Sequence, residues 1–275
     1  MEDQAALLAR VADALERLAP AAPPPADWLS APAYAWNGSF VRAIDAIDAP
    51  PLDLLKGIDR QKATIAGNVQ RLAEGMAAHD MLLWGARGMG KSALVRSAVM
   101  HAQEKGGHIA LVQVTTDAVA TLGDLFAQIG AVKRNFLVYI DDLGFAEDDA
   151  VGPRHLRSWL DGGVEARPAN CRLAVTSNRR AILPRQANEQ DDPINPRDVV
   201  DDQLALADRF GLSLGFHNCT QDEYLDIVAA YAAHLGLSYE REAALEWAKR
   251  RGSRSGRVAR HFITELAGQA GRNLT

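Results

Sequence analysis

The chain has little with which to build several familiar kinds of protein. Its 275 residues include only two cysteines, Cys171 and Cys219. That is too few for a disulfide framework or for a metal site without partners, so free, partly buried thiols are expected and redox chemistry is not. An excess of cations is also missing. The 30 Lys and Arg stand against 35 Asp and Glu, for a formal charge of -5, which gives no general attraction to nucleic acid or to an anionic membrane surface. No apolar run approaches the roughly 18 residues of a membrane span, and the acidic start MEDQ is unlike a signal peptide. A cytoplasmic protein without a membrane partner is expected. The remaining composition is ordinary for a globular chain, and the length allows one sizeable core with a smaller attachment.

What is present is one dense local pattern. The stretch LLWGARGMGKSALV, Leu82 to Val95, fits G-x-x-x-x-G-K-[ST] with Gly85, Gly90, Lys91 and Ser92 at the fixed positions. Met81 to Trp84 read as a buried strand, and Ser92 to Met100 as a helix with Leu94, Val95, Ala98 and Val99 facing inward. A strand that ends in a glycine loop and opens a helix aims several backbone N–H groups, and the positive end of the helix dipole, at one place. That place suits a triphosphate, so ATP and Mg²⁺ are the expected ligands. Gly85, Ala86, Arg87, Gly88, Met89, Gly90, Lys91, Ser92 and Ala93 form the candidate binding loop. Its glycines let the backbone approach phosphate oxygens at φ values closed to other residues. Lys91 would reach the β- and γ-phosphates, and Ser92 would offer its hydroxyl to Mg²⁺.

The rest of the chain organises around this loop. Residues 4 to 18 place Leu7, Leu8, Val11, Leu15 and Leu18 on one face of an amphipathic helix expected to dock elsewhere. Ala19 to Asn37 is rich in proline and alanine and reads as an extended linker, with Trp28, Tyr34 and Trp36 packing on the body. From about Asp53, helix and strand alternate. The strands are expected at Met81 to Trp84, His108 to Val114, Asn135 to Ile140, Cys171 to Ser177 and Leu212 to His217. Uninterrupted apolar strands between helices indicate a parallel sheet covered on both faces. After Asn218 the strands stop, and Thr220 with Glu223 forms a capping box that opens the first of three helices. The expected division is a helix over 1–20, a linker over 21–50, an α/β core over 51–219 and a helical lid over 220–275.

NFLVYIDDLGF is an apolar strand ending in paired acids. There Asp141 can hold Mg²⁺ through its waters, and Asp142 can orient a water for attack on the γ-phosphate. With these acids the strings LLWGARGMGKSALV, VYIDDLGF, GGVEARPANC, VTSNRR, ADRFGL and RSGRVARHF, in this order, resemble a bacterial AAA+ ATPase family catalogued as a domain of unknown function. The resemblance runs from about Tyr34 to the C-terminus. It implies a P-loop AAA+ type fold, a five-stranded parallel αβα sandwich with a small C-terminal helical lid and nucleotide between the two. By position it makes Asn178 the polar sensor near the γ-phosphate and Arg257 the lid arginine, and sets Gly57 and Ile58 beside the adenine. It makes Arg209 an arginine that reaches the γ-phosphate of a neighbouring subunit, which implies a homo-oligomer. One departure stands out: many AAA+ ATPases carry Asp-Glu where this chain has Asp141-Asp142. The shorter side chain brings the attacking water closer to the strand, and slow turnover is expected.

Three functions compete. An oligomeric ATPase that remodels or switches a protein partner is favoured. The segment TTDAVATL lacks the aromatic residue that usually grips a threaded polypeptide, so remodelling is expected rather than threading. A helicase-loader-like DNA-binding ATPase is the alternative, since paired aspartates and TSN strings occur in replication initiators and loaders. The basic run KRRGSRSGRVAR adds Lys249, Arg250, Arg251, Arg254, Arg257 and Arg260 to that reading. A solvated helix end accounts for most of the run, because cations favour helix C-termini. A small-molecule kinase would need an acceptor site, and no constellation for one is visible.

Overall fold

The computed structural model describes residues 2–18, 26–144, 152–162, 166–178 and 207–272. The acidic segment 188–202 lies outside the described residues. Helix α1 (Glu2–Leu18) comes first, with Leu7, Leu8 and Val11 exposed to solvent. Two short strands follow, β1 (Ala33–Trp36) and β2 (Val41–Ile44), then α2 (Asp59–Ala73), β3 (Met81–Gly85), α3 (Lys91–Glu104) and β4 (Ile109–Val114). The middle of the chain continues with α4 (Leu122–Ile129), β5 (Asn135–Ile140), α5 (Gly152–Asp161), β6 (Cys171–Ser177) and β7 (Leu212–Phe216). Three helices close the described chain: α6 (Gln221–His234), α7 (Arg241–Arg250) and α8 (Gly256–Gln269). No helix among the described residues is long and apolar enough to cross a membrane.

The strands form one seven-stranded sheet in the order β2-β1-β4-β5-β6-β3-β7, parallel throughout except for β2. The five expected strands are the contiguous block β4-β5-β6-β3-β7, with β3 beside β6. Strand alternation sorts the core into two layers. Met81 and Leu83 point toward α2, α3 and the closing helices, and Leu82 points toward α4, α5 and the N-terminal aromatics. The capping box forms as the sequence indicates: Glu223 N–H donates to Thr220 Oγ1 (3.2 Å) and Thr220 N–H to Glu223 Oε2 (2.7 Å). Both thiols are free and buried, and burial pushes Cys171 up to about 12.

The sheet has two strands more than the five expected, because part of the apparent linker joins it. AYAW is only four residues long and lies next to a proline-rich run, so it carries no periodic signal of its own; its partner β4 supplies the ladder. The aromatics there are buried as expected, and the polar atoms of Tyr34 and Trp36 are satisfied. Tyr34 OH donates to Asp27 O (2.7 Å), and Trp36 Nε1 donates to Thr121 Oγ1 (2.9 Å). Arg134 holds this segment down. Its guanidinium donates to Trp28 O (3.1 Å), Ala31 O (2.7 Å) and Ile109 O (3.0 Å).

Arg134→Ala would leave Trp28 O and Ala31 O without this donor, while Ile109 O keeps Gln103 Nε2 (2.9 Å), and a lost partner at a buried polar group typically costs about 1 to 3 kcal/mol. Urea unfolding of the variant should show stability lowered by about that amount. A midpoint equal to the parent's would show that the sheet ladder and apolar packing hold the N-terminal strands without Arg134.

Candidate functional site

The loop after β3 is fixed by chain far downstream. Gly85 has φ +119°, and a Cβ there would lie 2.1 Å from Phe216 O, so no side chain fits. Ala86 N–H donates to that same carbonyl at 2.7 Å. At Gly88 (φ +75°) a Cβ would come within 2.9 Å of Ser255 Oγ and 3.1 Å of Arg257 Cβ. Arg257 N–H in turn donates to Gly88 O at 3.1 Å. The loop is thus clasped between the end of β7 and the first turn of α8, which Ser255 caps through Val258 N–H (3.3 Å).

Lys91 opens α3 and is 7% exposed. Its ammonium donates to Gly85 O (2.8 Å), Ala86 O (2.9 Å) and Asn178 Oδ1 (3.3 Å). Burial pulls its pKa below the usual lysine value, and Asp142 and Asp141 oppose that pull. Beside it, Ser92 Oγ donates to Asp141 Oδ1 at 2.7 Å, and Thr176 Oγ1 donates to the same oxygen at 2.6 Å. Burial alone would raise the Asp141 carboxyl, but hydrogen bonds including those from Thr176 and Ser92 outweigh it and hold the pKa below the usual carboxylate value. Asp142 N–H donates to Thr176 Oγ1 (2.8 Å), and Asn178 Nδ2 donates to Asp142 Oδ1. A hydroxyl and a carboxylate side by side are hard oxygen donors of the kind Mg²⁺ takes.

These groups open on a cavity of about 450 Å³ between the sheet and the closing helices. Its apolar lining comes from Pro50, Leu54, Leu55 and Ile58 before α2, from Met89, and from Ile227 of α6 with Tyr231 one turn on. Six cations, Lys56, Arg87, Lys91, Arg96, Arg257 and Arg260, face it against Asp141 and Asp142. A chain with net charge -5 therefore keeps one strongly positive concavity, which concentrates polyanions.

Most of the residues picked from sequence meet here. Ile58, Arg87, Gly88, Met89, Gly90, Lys91, Ser92, Ala93, Asp141, Asp142, Asn178 and Arg257 all line the cavity. Gly85 and Ala86 do not line it but hold Lys91 through their carbonyls. Gly57 lies against Glu223 of α6 and is not part of the lining. Arg209 is elsewhere too: its Nε lies 2.5 Å from Asp161 Oδ1 at the end of α5.

Sequence reasoning passed over Thr176, Arg96, Tyr231 and the part Arg260 takes in this lining. A spacing signal existed for Arg96, which lies four residues after Ser92 and so on the same face of α3. Arg260, three residues after Arg257, was counted only within the basic run.

A P-loop in front of a parallel sheet, paired acids on the next strand but one, and a helical cap over the cavity make up a fold of the P-loop AAA+ type. The chain belongs to the family described as Protein of unknown function (DUF815), whose pattern matches residues 29–270. Solved structures share the fold. The RuvB Holliday junction branch migration motor of Thermotoga maritima has a TM-score of 0.52 at 20% identity, over 81% of this chain and 66% of that one. ORC1 of Aeropyrum pernix, in complex with DNA, has 0.53 at 14% identity, over 80% of this chain and 65% of that one. Domain III of the Thermotoga maritima replication initiation protein DnaA has 0.51 at 13%, over 82% and 91%. At such identities the likeness is one of fold, and this chain spans slightly less than two thirds of the RuvB and ORC1 chains. No curated protein sequence matches it.

Gly88→Ala would force Ser255 or Arg257 away from the loop. Hydrogen exchange at the Arg257 amide, whose acceptor is Gly88 O, should accelerate while amides in β4 and β5 keep their protection. Unchanged exchange at Arg257 would show that the loop and α8 are not clasped through this contact.

Proposed function

We propose that the protein is a Mg²⁺-dependent ATPase that works as a homo-oligomer to remodel or switch a protein partner. The observation that carries this reading is the 2.7 Å bond between Ser92 Oγ and Asp141 Oδ1, which brings two magnesium-type oxygen donors together at the mouth of the phosphate loop. Ser92 and Asp141 would hold Mg²⁺, which when bound neutralises charge on the β- and γ-phosphates. Lys91 would exchange its carbonyl acceptors for phosphate oxygens. Asp142, with Asn178 bonded to its carboxylate, would orient the attacking water, and Arg257 would reach the phosphates from the lid. The base would lie among Leu54, Leu55, Ile58, Ile227 and Tyr231. On this reading the catalytic core takes in β1 and β2 as well as 51–219, and 220–275 acts as the lid.

The place of Arg209 limits what it could do on this reading. It does not line this chain's own cavity, so it can serve a γ-phosphate only on a neighbouring subunit, and to do so it must leave Asp161. A DNA-loading role draws less support. Of the six cations in the basic run, Arg257 and Arg260 line the cavity, Arg250 pairs with Glu246 (3.3 Å), and Arg251 lies over the Trp247 ring (4.8 Å). The run is divided among several tasks and does not present one stripe to a phosphate backbone.

Two experiments test the proposal. Lys91→Ala should abolish or severely weaken ATP binding in calorimetry while the melting curve stays close to the parent's, whereas Asp142→Asn should bind ATP·Mg²⁺ and turn over much more slowly. Parent-like binding by the first, or parent-like hydrolysis by the second, defeats the ATPase reading. Arg209→Ala should bind ATP but lose hydrolysis, since an arginine supplied to the transition state is worth about 10³ to 10⁵ in rate. Mixing it with inactive Lys91→Ala protein should restore part of the activity. No recovery in the mixture would rule out action across a subunit boundary.

A further inference from the structure

Asp142 is the only residue other than glycine with positive φ among the described residues, at 51°. An aspartate tolerates this left-handed conformation better than most side chains, yet it persists only where the surroundings impose it. What imposes it is Thr176. The Thr176 hydroxyl accepts Asp142 N–H at 2.8 Å, and the Thr176 carbonyl accepts Leu143 N–H at 2.8 Å, so β6 grips the chain on both sides of the Asp142 peptide. The same hydroxyl spends its one hydrogen on Asp141 Oδ1 at 2.6 Å. A hydroxyl has one donor and two acceptor lone pairs. Here the donor fixes one acid and a lone pair fixes the backbone of the other.

We infer that Thr176 is a positioning residue that sets both acids of the site through one hydroxyl. The inference rests on the ATPase reading for its consequence in catalysis, although the geometry stands independently of it. Without the hydroxyl, Asp141 keeps Ser92 as a donor, but the peptide of Asp142 loses the acceptor that holds it left-handed. Relaxing that peptide would swing the Asp142 carboxylate away from Asn178, which is two residues beyond Thr176 at the same strand end. Thr176 is 1% exposed although it lines the cavity, and a valine methyl would occupy the place of the hydroxyl and so keep water from replacing the missing acceptor. The seam between β5 and β6 thus couples the residue that would hold Mg²⁺ to the residue that would orient the water. A valine at 176 keeps the shape of the side chain and removes only the oxygen.

The test compares Thr176→Val with Thr176→Ser in the full chain. In the valine variant, ATP affinity measured by calorimetry with EDTA should stay within about threefold of the parent, while kcat falls about 100-fold, as expected when a reacting group is displaced by an ångström or so. The Mg²⁺ concentration for half-maximal turnover should rise, and hydrogen exchange at the Asp142 amide should accelerate. The serine variant, which keeps the oxygen, should retain most of the turnover and the protection. A valine variant with the parent's kcat and Mg²⁺ requirement overturns the inference, as does a serine variant that falls as far as valine. If the valine chain fails to fold, Thr176→Ala is read in the same way. If the parent itself binds no ATP, the functional reading has failed, and amide exchange alone decides the geometry: loss of Asp142 protection without the hydroxyl supports it, and equal protection in both chains overturns it.

Discussion

The site depends on a loop that is tied at two places to chain far from it in sequence. Phe216 O takes the Ala86 N–H and leaves no room for a side chain at Gly85; the Arg257 N–H reaches Gly88 O and leaves almost none at Gly88. The first tie comes from the last strand of the sheet and the second from the last helix of the lid. The loop therefore cannot change shape without moving α8, and α8 cannot lift without freeing a loop carbonyl. The apolar core follows the same logic. One continuous cluster runs from β3 and β5 through α2 and α3 into Tyr224, Ile227, Val258 and Phe262 of the lid. Lid and sheet share a single buried interior, so any movement of one against the other works against that packing.

Electrostatics sets the clasped loop apart from the rest of the chain. The chain as a whole is acidic, yet the cavity gathers six cations from four separate stretches: Lys56, the loop, α3 and α8. Arg96 sits one turn beyond Ser92 and is among the charges that favour ionised Asp141. Two acids among six cations keep the site charged and able to bind a cation of its own. A surplus of positive charge remains for a polyanion, and a neutral ligand would leave that surplus uncompensated in a partly enclosed space.

How much of this was legible in the sequence follows from how local each signal is. The five apolar strands, the loop, the paired acids and the Thr220–Glu223 box depend on near neighbours, and they stand within a residue of where periodicity and capping chemistry put them. Four-residue β1 depends on β4, about eighty residues away, and a short run beside prolines cannot announce such a partner. Gly85 stands at the end of β3, and Gly88 and Gly90 stand in the loop that follows it. Their freedom was read as access to phosphate, whereas Gly85 and Gly88 are needed for close approach by Phe216 and by the Ser255–Arg257 turn. Thr176 stood in view within VTSN and carried no motif weight, because its importance lies in a contact across two strands. The contact of Arg209 with Asp161 joins two stretches of chain that no local pattern relates.

Lys91 shows how these constraints act on ligand choice. Its ammonium is already satisfied by two loop carbonyls and by Asn178, whose amide also donates to Asp142, so one asparagine spans the cation and the acid at the end of β5. A ligand that draws Lys91 toward itself must replace neutral acceptors, and the net gain is only the difference between the old and new bonds. A neutral acceptor would gain almost nothing. A phosphate oxygen gains because charge-assisted bonds are roughly twice as strong as neutral ones, and more so where solvent is largely excluded. The same displacement frees the Asn178 oxygen while leaving its nitrogen on Asp142. Drawing the lysine to an anion therefore alters the surroundings of the acid at the neighbouring strand end. If the bound anion is a phosphate, the exchange that would select it is also the one that would report its arrival to Asp142.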